Sequence, residues 1–132
     1  MKKGDEEWIK KQEELQGEFA IALAYYTVDD ARKVLKKGFK PDPNEIMPLI
    51  MWHCKDLDYV ILLKELGYDF KDDQRCLEEF TKHAALKPEI AQYMIDNGAA
   101  ISWKAIQQCA RRWDLDVLKI LVNNKKEFFP VD

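Results

Sequence analysis

The chain has 132 residues, of which 47% are hydrophobic and 34% are charged, with only five glycines and five prolines. This length suits one domain with its own core, and the composition excludes a disordered or low-complexity protein. The net charge of −3, with both signs alternating along the chain, disfavours a broad phosphate-binding surface and therefore nucleic acid as a partner.

The first segment, residues 1–17, is predicted to form a capping helix. Trp8 and Leu15 share an apolar stripe with Phe19, and mixed charges occupy the other faces, which keeps the end of a repeat array in solution. The segment has no apolar run that could be a signal-peptide core, and no window of the chain reaches the roughly 18 apolar residues of a membrane span. We therefore expect a cytoplasmic protein without membrane association.

A short pattern occurs four times after residue 26. The segments TVDDARKVLKKGF, DLDYVILLKELGY and KPEIAQYMIDNGA align without a gap at Gly38, Gly67 and Gly98, and DLDVLKILVNNKK puts Lys125 in the glycine column. The copies start 27 to 31 residues apart, a period typical of stacked helical units. An acid stands nine residues before that column in every copy: Asp29, Asp58, Glu89 and Asp116.

Each copy is predicted to be a short amphipathic helix. Apolar residues stand two and five positions after the acid, which is the spacing of one buried helical face. The acid lies in the first turn, where its charge meets the helix dipole, and the glycine ends the helix in a left-handed conformation. Pro88 fits a first helical position. The predicted N-caps are Thr27, Asp56, Lys87 and Asp114.

Another apolar segment precedes each copy, so the predicted unit is a pair of helices. Asp42 begins a capping box, but Pro48 would break a helix that began there, so the first helix of the second pair is predicted to start at Pro48. In the tail, Phe128 and Phe129 either cover the last pair or form a motif for a partner. The pairs are assigned to residues 18–41, 42–71, 72–101 and 102–125, with the tail at 126–132.

This pattern resembles the ankyrin repeat over about residues 18–125. The likeness is clearest in PEIAQYMIDNGA, and MPLI at residues 47–50 is similar to that family's Thr-Pro-Leu-His. The resemblance implies an all-α fold, a short helical solenoid of about four helix pairs whose first helices line the binding surface. The chain lacks the family's Thr and His pair and has short loops, so we expect irregular loops and do not carry over fingertip contacts.

No pattern in the sequence supports catalysis or a bound cofactor. His53 and Cys54 are neighbours, and adjacent side chains on a helix point about 100° apart, so the two cannot act on each other. His83 stands at a comparable place one pair later, but two histidines alone do not make a zinc site. Cys54, Cys76 and Cys109 are an odd number without a Cys-x-x-Cys, which indicates small buried thiols in a reducing compartment. We expect no enzyme activity, no cofactor and no metal.

The predicted function is binding of a partner protein, which the array blocks or scaffolds. Four tryptophans are more than a helical solenoid needs, so they either fill gaps left by the missing loop networks or stand exposed, and tryptophan and arginine dominate protein hot spots. The size suits an inhibitor from a virus or mobile element, acting as a monomer or weak homodimer. The candidate partner-binding residues are Trp52, His53, Lys82, Trp103, Gln107, Arg111 and Trp113.

The alternative is an accessory nucleic-acid-binding protein. Arg111 and Arg112 lie between two tryptophans, and basic residues interleaved with aromatics can hold phosphates while bases stack. The affinity of such phosphate-dependent binding falls steeply between low and physiological salt concentration. A run of lysines near the end of the first repeated helix either adds to this phosphate-binding surface or is only a solvated helix end whose charges favour the C-terminal dipole. These lysines are Lys33, Lys36, Lys37 and Lys40.

Overall fold

The computed structural model describes residues 3–125 of the chain. Residues 1–2 and 126–132 lie outside the described residues, and so does the predicted role of Phe128 and Phe129. Residues 3–125 form eight α-helices and no strand, which confirms the prediction of an all-α chain for this part. The helices are α1 (Lys3–Tyr25), α2 (Val28–Lys36), α3 (Pro43–His53), α4 (Leu57–Glu65), α5 (Arg75–His83), α6 (Pro88–Asp96), α7 (Trp103–Arg111) and α8 (Leu115–Asn124).

The helices pack as four consecutive pairs in two layers. Within the pairs, α1 packs on α2, α3 on α4, α5 on α6 and α7 on α8. Each odd-numbered helix also contacts the next odd-numbered helix, and each even-numbered helix contacts the next even-numbered one. The odd helices therefore form one layer and the even helices the other, and each pair contacts the pairs before and after it.

The even-numbered helices begin at the predicted N-caps. Thr27, Asp56 and Asp114 each accept a hydrogen bond from a backbone N–H of the first turn. Lys87 forms no side-chain cap, and Pro88 takes the first helical position, where no amide donor is needed. These starts are therefore fixed by interactions within a few residues of sequence.

The glycine column has the predicted left-handed conformation, with φ of +108° at Gly38, +97° at Gly67 and +100° at Gly98. At Gly98 a Cβ would also lie 3.2 Å from the Cα of Lys71, because the loop before α5 contacts the loop after α6. In place of a β-hairpin, these two loops exchange two backbone hydrogen bonds of 2.9 Å, from Asp72 N–H to the Gly98 carbonyl and from Ala100 N–H to the Asp73 carbonyl.

The apolar columns of the repeat form the core. The two predicted columns are buried at every position except Leu118, which is half-buried. The odd helices bring side chains such as Phe19, Ile50 and Phe80 into the same core. Each such side chain contributes about 1.5–3 kcal/mol when it is removed from water, so the stabilisation is spread over the packed helices.

α3 begins at Pro43, so the predicted start at Pro48 was wrong. Asp42 caps the helix by accepting a hydrogen bond of 2.9 Å from the Asn44 N–H. Pro48 then lies inside the helix and cannot donate to the Asn44 carbonyl four residues earlier. Arg75 Nη2, on α5, donates to that carbonyl at 3.4 Å. A neighbouring helix thus supplies the hydrogen bond that the proline removes.

α1 is one uninterrupted helix of 23 residues, which joins the predicted capping helix to the first helix of the first pair. Residues 4–11 are exposed on every face, and Gln12 is where this extension meets the loop after α2. The Gln12 side-chain N–H donates to the Gly38 carbonyl at 2.9 Å, and its side-chain oxygen accepts from the Lys40 N–H at 2.8 Å. Gln12 therefore satisfies two backbone groups of that loop.

Candidate binding surface

Most of the predicted binding residues lie where the odd helices end. A short loop joins each odd helix to the even helix of its pair, at residues 26–27, 54–56, 84–87 and 112–114. We call these four loops, together with the last turn of each odd helix and the first turn of each even helix, the loop edge.

Hydrogen bonds hold the four parts of the loop edge in a row. Each bond joins one pair to the next along the chain, at distances of 3.0 to 3.3 Å. The bonds run from Lys55 Nζ to the Ala24 carbonyl, from Ala85 N–H to the Cys54 carbonyl, and from Arg112 Nη1 to the Thr81 carbonyl.

Charge divides the loop edge into two stripes. Each loop joins the negative, C-terminal end of one helix dipole to the positive, N-terminal end of the next. Basic residues accordingly lie in the last turns of α5 and α7, at Lys82 and Arg111, and acids lie in the first turns of the even helices. The acids are Asp29, Asp30, Asp58, Glu89 and Asp116.

Trp52 lies in the last turn of α3, and 58% of its surface is exposed. Its ring packs against the ring of His83 on α5, with the centroids 4.1 Å apart. Nε2 of His83 lies 3.6 Å from a carboxylate oxygen of Glu79. His53 is half-buried, and its burial, followed by the nearby charge of Lys55, lowers the pKa of its imidazole. The aromatic ring that packs against His83 is that of Trp52.

Trp113 follows α7 and exposes 85% of its surface. Its φ is +57°, in the left-handed region that residues with a Cβ disfavour. The Trp113 N–H donates to the Ala110 carbonyl and the Asp114 N–H donates to the Cys109 carbonyl, which closes the helix end as the glycines close α4 and α6. Because the side chain is largely in water, packing within the chain does not offset the backbone strain.

Lys82 and Arg111 occupy the positions on α5 and α7 that correspond to Trp52 on α3. Within the described residues, neither has a carboxylate within ion-pairing distance. The correspondence follows from the buried residues that precede them in the three helices, which are Met47 and Ile50, Leu77 and Phe80, and Ile106 and Cys109.

A groove of about 230 Å³ crosses the outer faces of α3, α5 and α7 beside these residues. Its two carboxylates are engaged within the chain, since Glu78 accepts a hydrogen bond from Ser102 Oγ and Glu79 lies beside His83. The groove is lined by Met47, Pro48, Arg75, Glu78, Glu79, Lys82, Lys104 and Gln108.

Trp103 and Gln107 lie apart from the loop edge. Trp103 begins α7, about two turns before the loop edge. Gln108 faces α5, because its side chain forms a hydrogen bond of 2.9 Å with Thr81. Trp103 and Gln107 point about 140° and 100° away from Gln108 around the helix axis. Gln107 lies next to Arg111 on the surface of α7, one turn farther from the loop edge, and Trp103 lies one turn beyond Gln107. The structure therefore brings five of the seven predicted residues to the loop edge and places the other two one and two turns away along α7.

Three of the six basic residues considered for nucleic acid form ion pairs or hydrogen bonds within the chain. Lys33 Nζ lies 3.5 Å from Asp30, and Lys37 Nζ lies 2.9 Å from Glu18. Arg112 donates to a backbone carbonyl of α5. The lysine run lies on and just after α2, whereas the arginines end α7 in the other layer, so the two clusters do not form one phosphate-binding surface.

No family model matches the chain, and no curated protein or solved structure matches it either. The likeness to ankyrin repeats therefore rests on the repeated residues alone.

Tyr25 and Leu115 belong to the loop edge but were not among the predicted residues. Tyr25 ends α1 with 80% of its surface exposed, and Leu115 stands exposed beside Trp113. Tyr25 falls in an apolar segment that looks like core in the sequence. Its place at the end of a first helix, where Trp52 also lies, was the signal that could have identified it.

The three cysteines are buried and form no disulfide, as predicted for small buried thiols. Burial raises the pKa of Cys54 to about 12 and that of Cys109 to about 11, and it raises the pKa of Cys76 further still. Within residues 3–125, no three His, Cys, Asp or Glu side chains form a group that could hold a metal ion. None of the described helices combines the length and apolar composition needed to cross a membrane.

Proposed function

We propose that this chain is a protein-binding module that occupies a partner protein through the loop edge, and so blocks or scaffolds that partner. The observation that carries this proposal is Trp113, which combines a left-handed backbone with an 85% exposed indole. Such a residue lowers the stability of the folded chain, and packing within the chain does not offset this cost. Burial of its side chain by a partner explains why it is present.

The arrangement of the helices supports the same conclusion. We propose that the four pairs form a short ankyrin-like solenoid, supported by the repeated N-caps, the glycine turns and the contacts between successive pairs. In such an array each pair contacts only its neighbours, so one edge presents a continuous series of equivalent positions. The loop edge is one such series.

The composition of the loop edge fits a protein interface. Tyr25, Trp52 and Trp113 are exposed aromatic residues at the ends of three odd helices, and Lys82 and Arg111 lie among them. Interfaces take most of their binding energy from a few aromatic and arginine side chains surrounded by polar groups. The acids that begin the even helices lie along the same edge, so this surface carries charges of both signs, which favours a protein over a continuous phosphate backbone.

The cysteines support a cytoplasmic setting. Cys54, Cys76 and Cys109 are free and buried, so the chain makes no use of an oxidising compartment. We propose a cytoplasmic, non-catalytic protein that is a monomer or weak homodimer and acts by the surface that it occupies. Inhibition of a partner enzyme is one form of this action, and scaffolding is the other.

Partner capture with matched tryptophan variants tests the proposal. The tagged chain is incubated with source-cell lysate at low and physiological salt, with and without nuclease, and bound proteins are identified by mass spectrometry. We expect a stoichiometric protein that survives nuclease and is lost with Trp52→Ala or Trp113→Gly. Trp8→Ala is the control, because Trp8 is 54% exposed on the N-terminal half of α1, away from the loop edge.

Two results would count against the proposal. Material that nuclease removes, or that dissociates between the two salt concentrations, would support the nucleic-acid alternative. Loss of the partner with Trp8→Ala to the same extent as with Trp52→Ala would place the interface away from the loop edge.

A further inference from the structure

Unpaired cations gather beside the loop edge in a chain whose net charge is −3. Within the part of the chain that the structure describes, Lys82, Lys104 and Arg111 form no ion pair. Glu78 and Glu79 keep their negative charges, but neither forms an ion pair with these three cations, and the cations outnumber the two carboxylates. The outer face of α5 and α7 is therefore locally basic and open to an acidic group.

The spacing of these groups is set by the packing of the helices. Trp52, Lys82 and Arg111 hold corresponding positions on three successive odd helices. Packed helices lie about 8–10 Å apart, so a row of corresponding side chains advances in steps of about 9 Å. A partner that contacts every member of the row must repeat its own side chains at this distance.

A polyproline II segment has this repeat. It has three residues per turn and rises about 3.1 Å per residue, so every third side chain points the same way about 9 Å farther along. In an extended strand, side chains on one face repeat about every 6.7 Å, which does not match the spacing of about 9 Å between corresponding positions on neighbouring helices. A segment of about seven residues in the polyproline II conformation spans the whole row.

We propose that the partner contacts this face through an acidic segment in the polyproline II conformation, with an apolar residue on Trp52 and carboxylates on Lys82 and Arg111. This inference rests on the proposed function, because it describes the occupant of the same surface. The carboxylates are placed three and six residues from the apolar residue. Charge complementarity requires them, since a neutral segment would cover two cations without giving them a partner. The Trp52 ring, held by His83, offers the aromatic surface that proline-rich segments use.

Binding of synthetic peptides to the full chain tests this inference. The probe is a fluorescein-labelled proline-rich peptide of about nine residues in which a valine and two glutamates stand three residues apart. The control peptide has the same composition, but its glutamates stand two residues apart. Fluorescence anisotropy measures the dissociation constants. We expect saturable binding of the matched peptide and roughly tenfold weaker binding of the control.

Charge-reversal variants identify the residues that the glutamates contact. Lys82→Glu combined with Arg111→Glu should abolish binding of the matched peptide, and a peptide with lysines in place of the glutamates should bind this double variant. Lys36→Glu combined with Lys119→Glu makes the same change in net charge on even helices and should leave binding unchanged. Circular dichroism of each variant checks that the fold is retained.

Three results would overturn the inference. The first is equal affinity for the matched and shifted peptides, and the second is peptide binding that is unaffected by Lys82→Glu with Arg111→Glu. The third is that a fluorescein-labelled oligo-dT binds more tightly than the matched peptide and that this double variant abolishes its binding. The proposed function fails by a different result, which is partner capture that does not depend on Trp52 and Trp113. If capture depends on these tryptophans while peptide spacing has no effect, the function stands and this inference falls.

Discussion

Trp113 occupies the kind of position that glycine holds at the ends of α2, α4 and α6. A left-handed backbone brings the Cβ close to the following carbonyl oxygen, which costs about 1–2 kcal/mol for most residues. Glycine avoids this contact, and the exposed indole of Trp113 gains little in return. Trp113 therefore carries a backbone strain that packing of its own side chain does not offset.

We predict that Trp113→Gly raises the free energy of unfolding by about 1 kcal/mol, because it relieves the left-handed strain. Trp113→Ala keeps the Cβ and should give no comparable gain. Urea unfolding followed by circular dichroism measures both variants. If the Trp113→Gly chain is no more stable than the alanine variant, the left-handed backbone of Trp113 does not lower the free energy of unfolding.

The three cysteine side chains are part of the buried core. Cys54 has a folded pKa of about 12 and Cys109 of about 11, against an ordinary value of 9.0. These raised values mean that folding favours the protonated thiol. The stability that this contributes is fully present below about pH 9 and is lost as the pH rises towards 11 and 12.

We predict that a thiol-specific disulfide reagent modifies the native chain slowly at pH 8 and modifies all three cysteines at once in urea. As the pH rises, Cys109 should react before Cys54, because its pKa is lower. The reaction is measured by absorbance, with Cys109→Ser to assign the first phase. Rapid modification of one thiol in the native chain at pH 8 would contradict the burial described for it.

At the scale of the helix, α3 continues through Pro48 because α5 supports it. The proline leaves the Asn44 carbonyl without its usual donor, and Arg75 supplies one from the neighbouring helix. A proline inside a helix generally costs about 3 kcal/mol or more, partly through this missing hydrogen bond. The contact explains why one proline does not shorten the helix at its start.

We predict that Pro48→Ala raises the free energy of unfolding by about 1 kcal/mol, since it restores a helical N–H. Arg75→Ala should destabilise the parent chain more than it destabilises the Pro48→Ala chain, with a coupling energy of about 0.5–1 kcal/mol. The two single variants and the double variant, unfolded in urea, complete the cycle. Additive effects would show that Arg75 does not compensate for the proline.

For the whole molecule, stability depends on which pairs have neighbours. α3 to α6 belong to pairs that are packed on both sides, whereas the first and last pairs are packed on one side within residues 3–125. Residues 4–11 of α1 extend beyond this packing and are exposed on every face. Helical turns without tertiary contacts open readily in water.

We predict that backbone amides in residues 4–11 exchange with solvent orders of magnitude faster than those of α4 and α5. Hydrogen exchange followed by NMR resolves these segments. Gln12→Ala should extend fast exchange into the loop after α2, because this side chain bonds the Gly38 carbonyl and the Lys40 N–H. Protection of residues 4–11 equal to that of α4 would require contacts other than those described.

The sequence by itself determined the features that depend on neighbouring residues. The N-caps, the glycine turns, Pro88 at the start of α6 and the buried columns were all predicted correctly, because each is fixed within about ten residues of chain. The all-α class followed from the same patterns. The number and order of the even helices were therefore readable before any contact between pairs was known.

Only the tertiary structure decided the features that depend on residues far apart in the chain. The start of α3 depends on Arg75, 31 residues after Asn44, and the place where the α1 extension meets the array depends on a contact between Gln12 and Gly38, 26 residues apart. The gathering of Trp52, Lys82 and Arg111 along one edge likewise follows from how α3, α5 and α7 pack side by side. A periodic sequence shows which face of a helix is buried, but the packing of adjacent helices decides which exposed side chains share a surface.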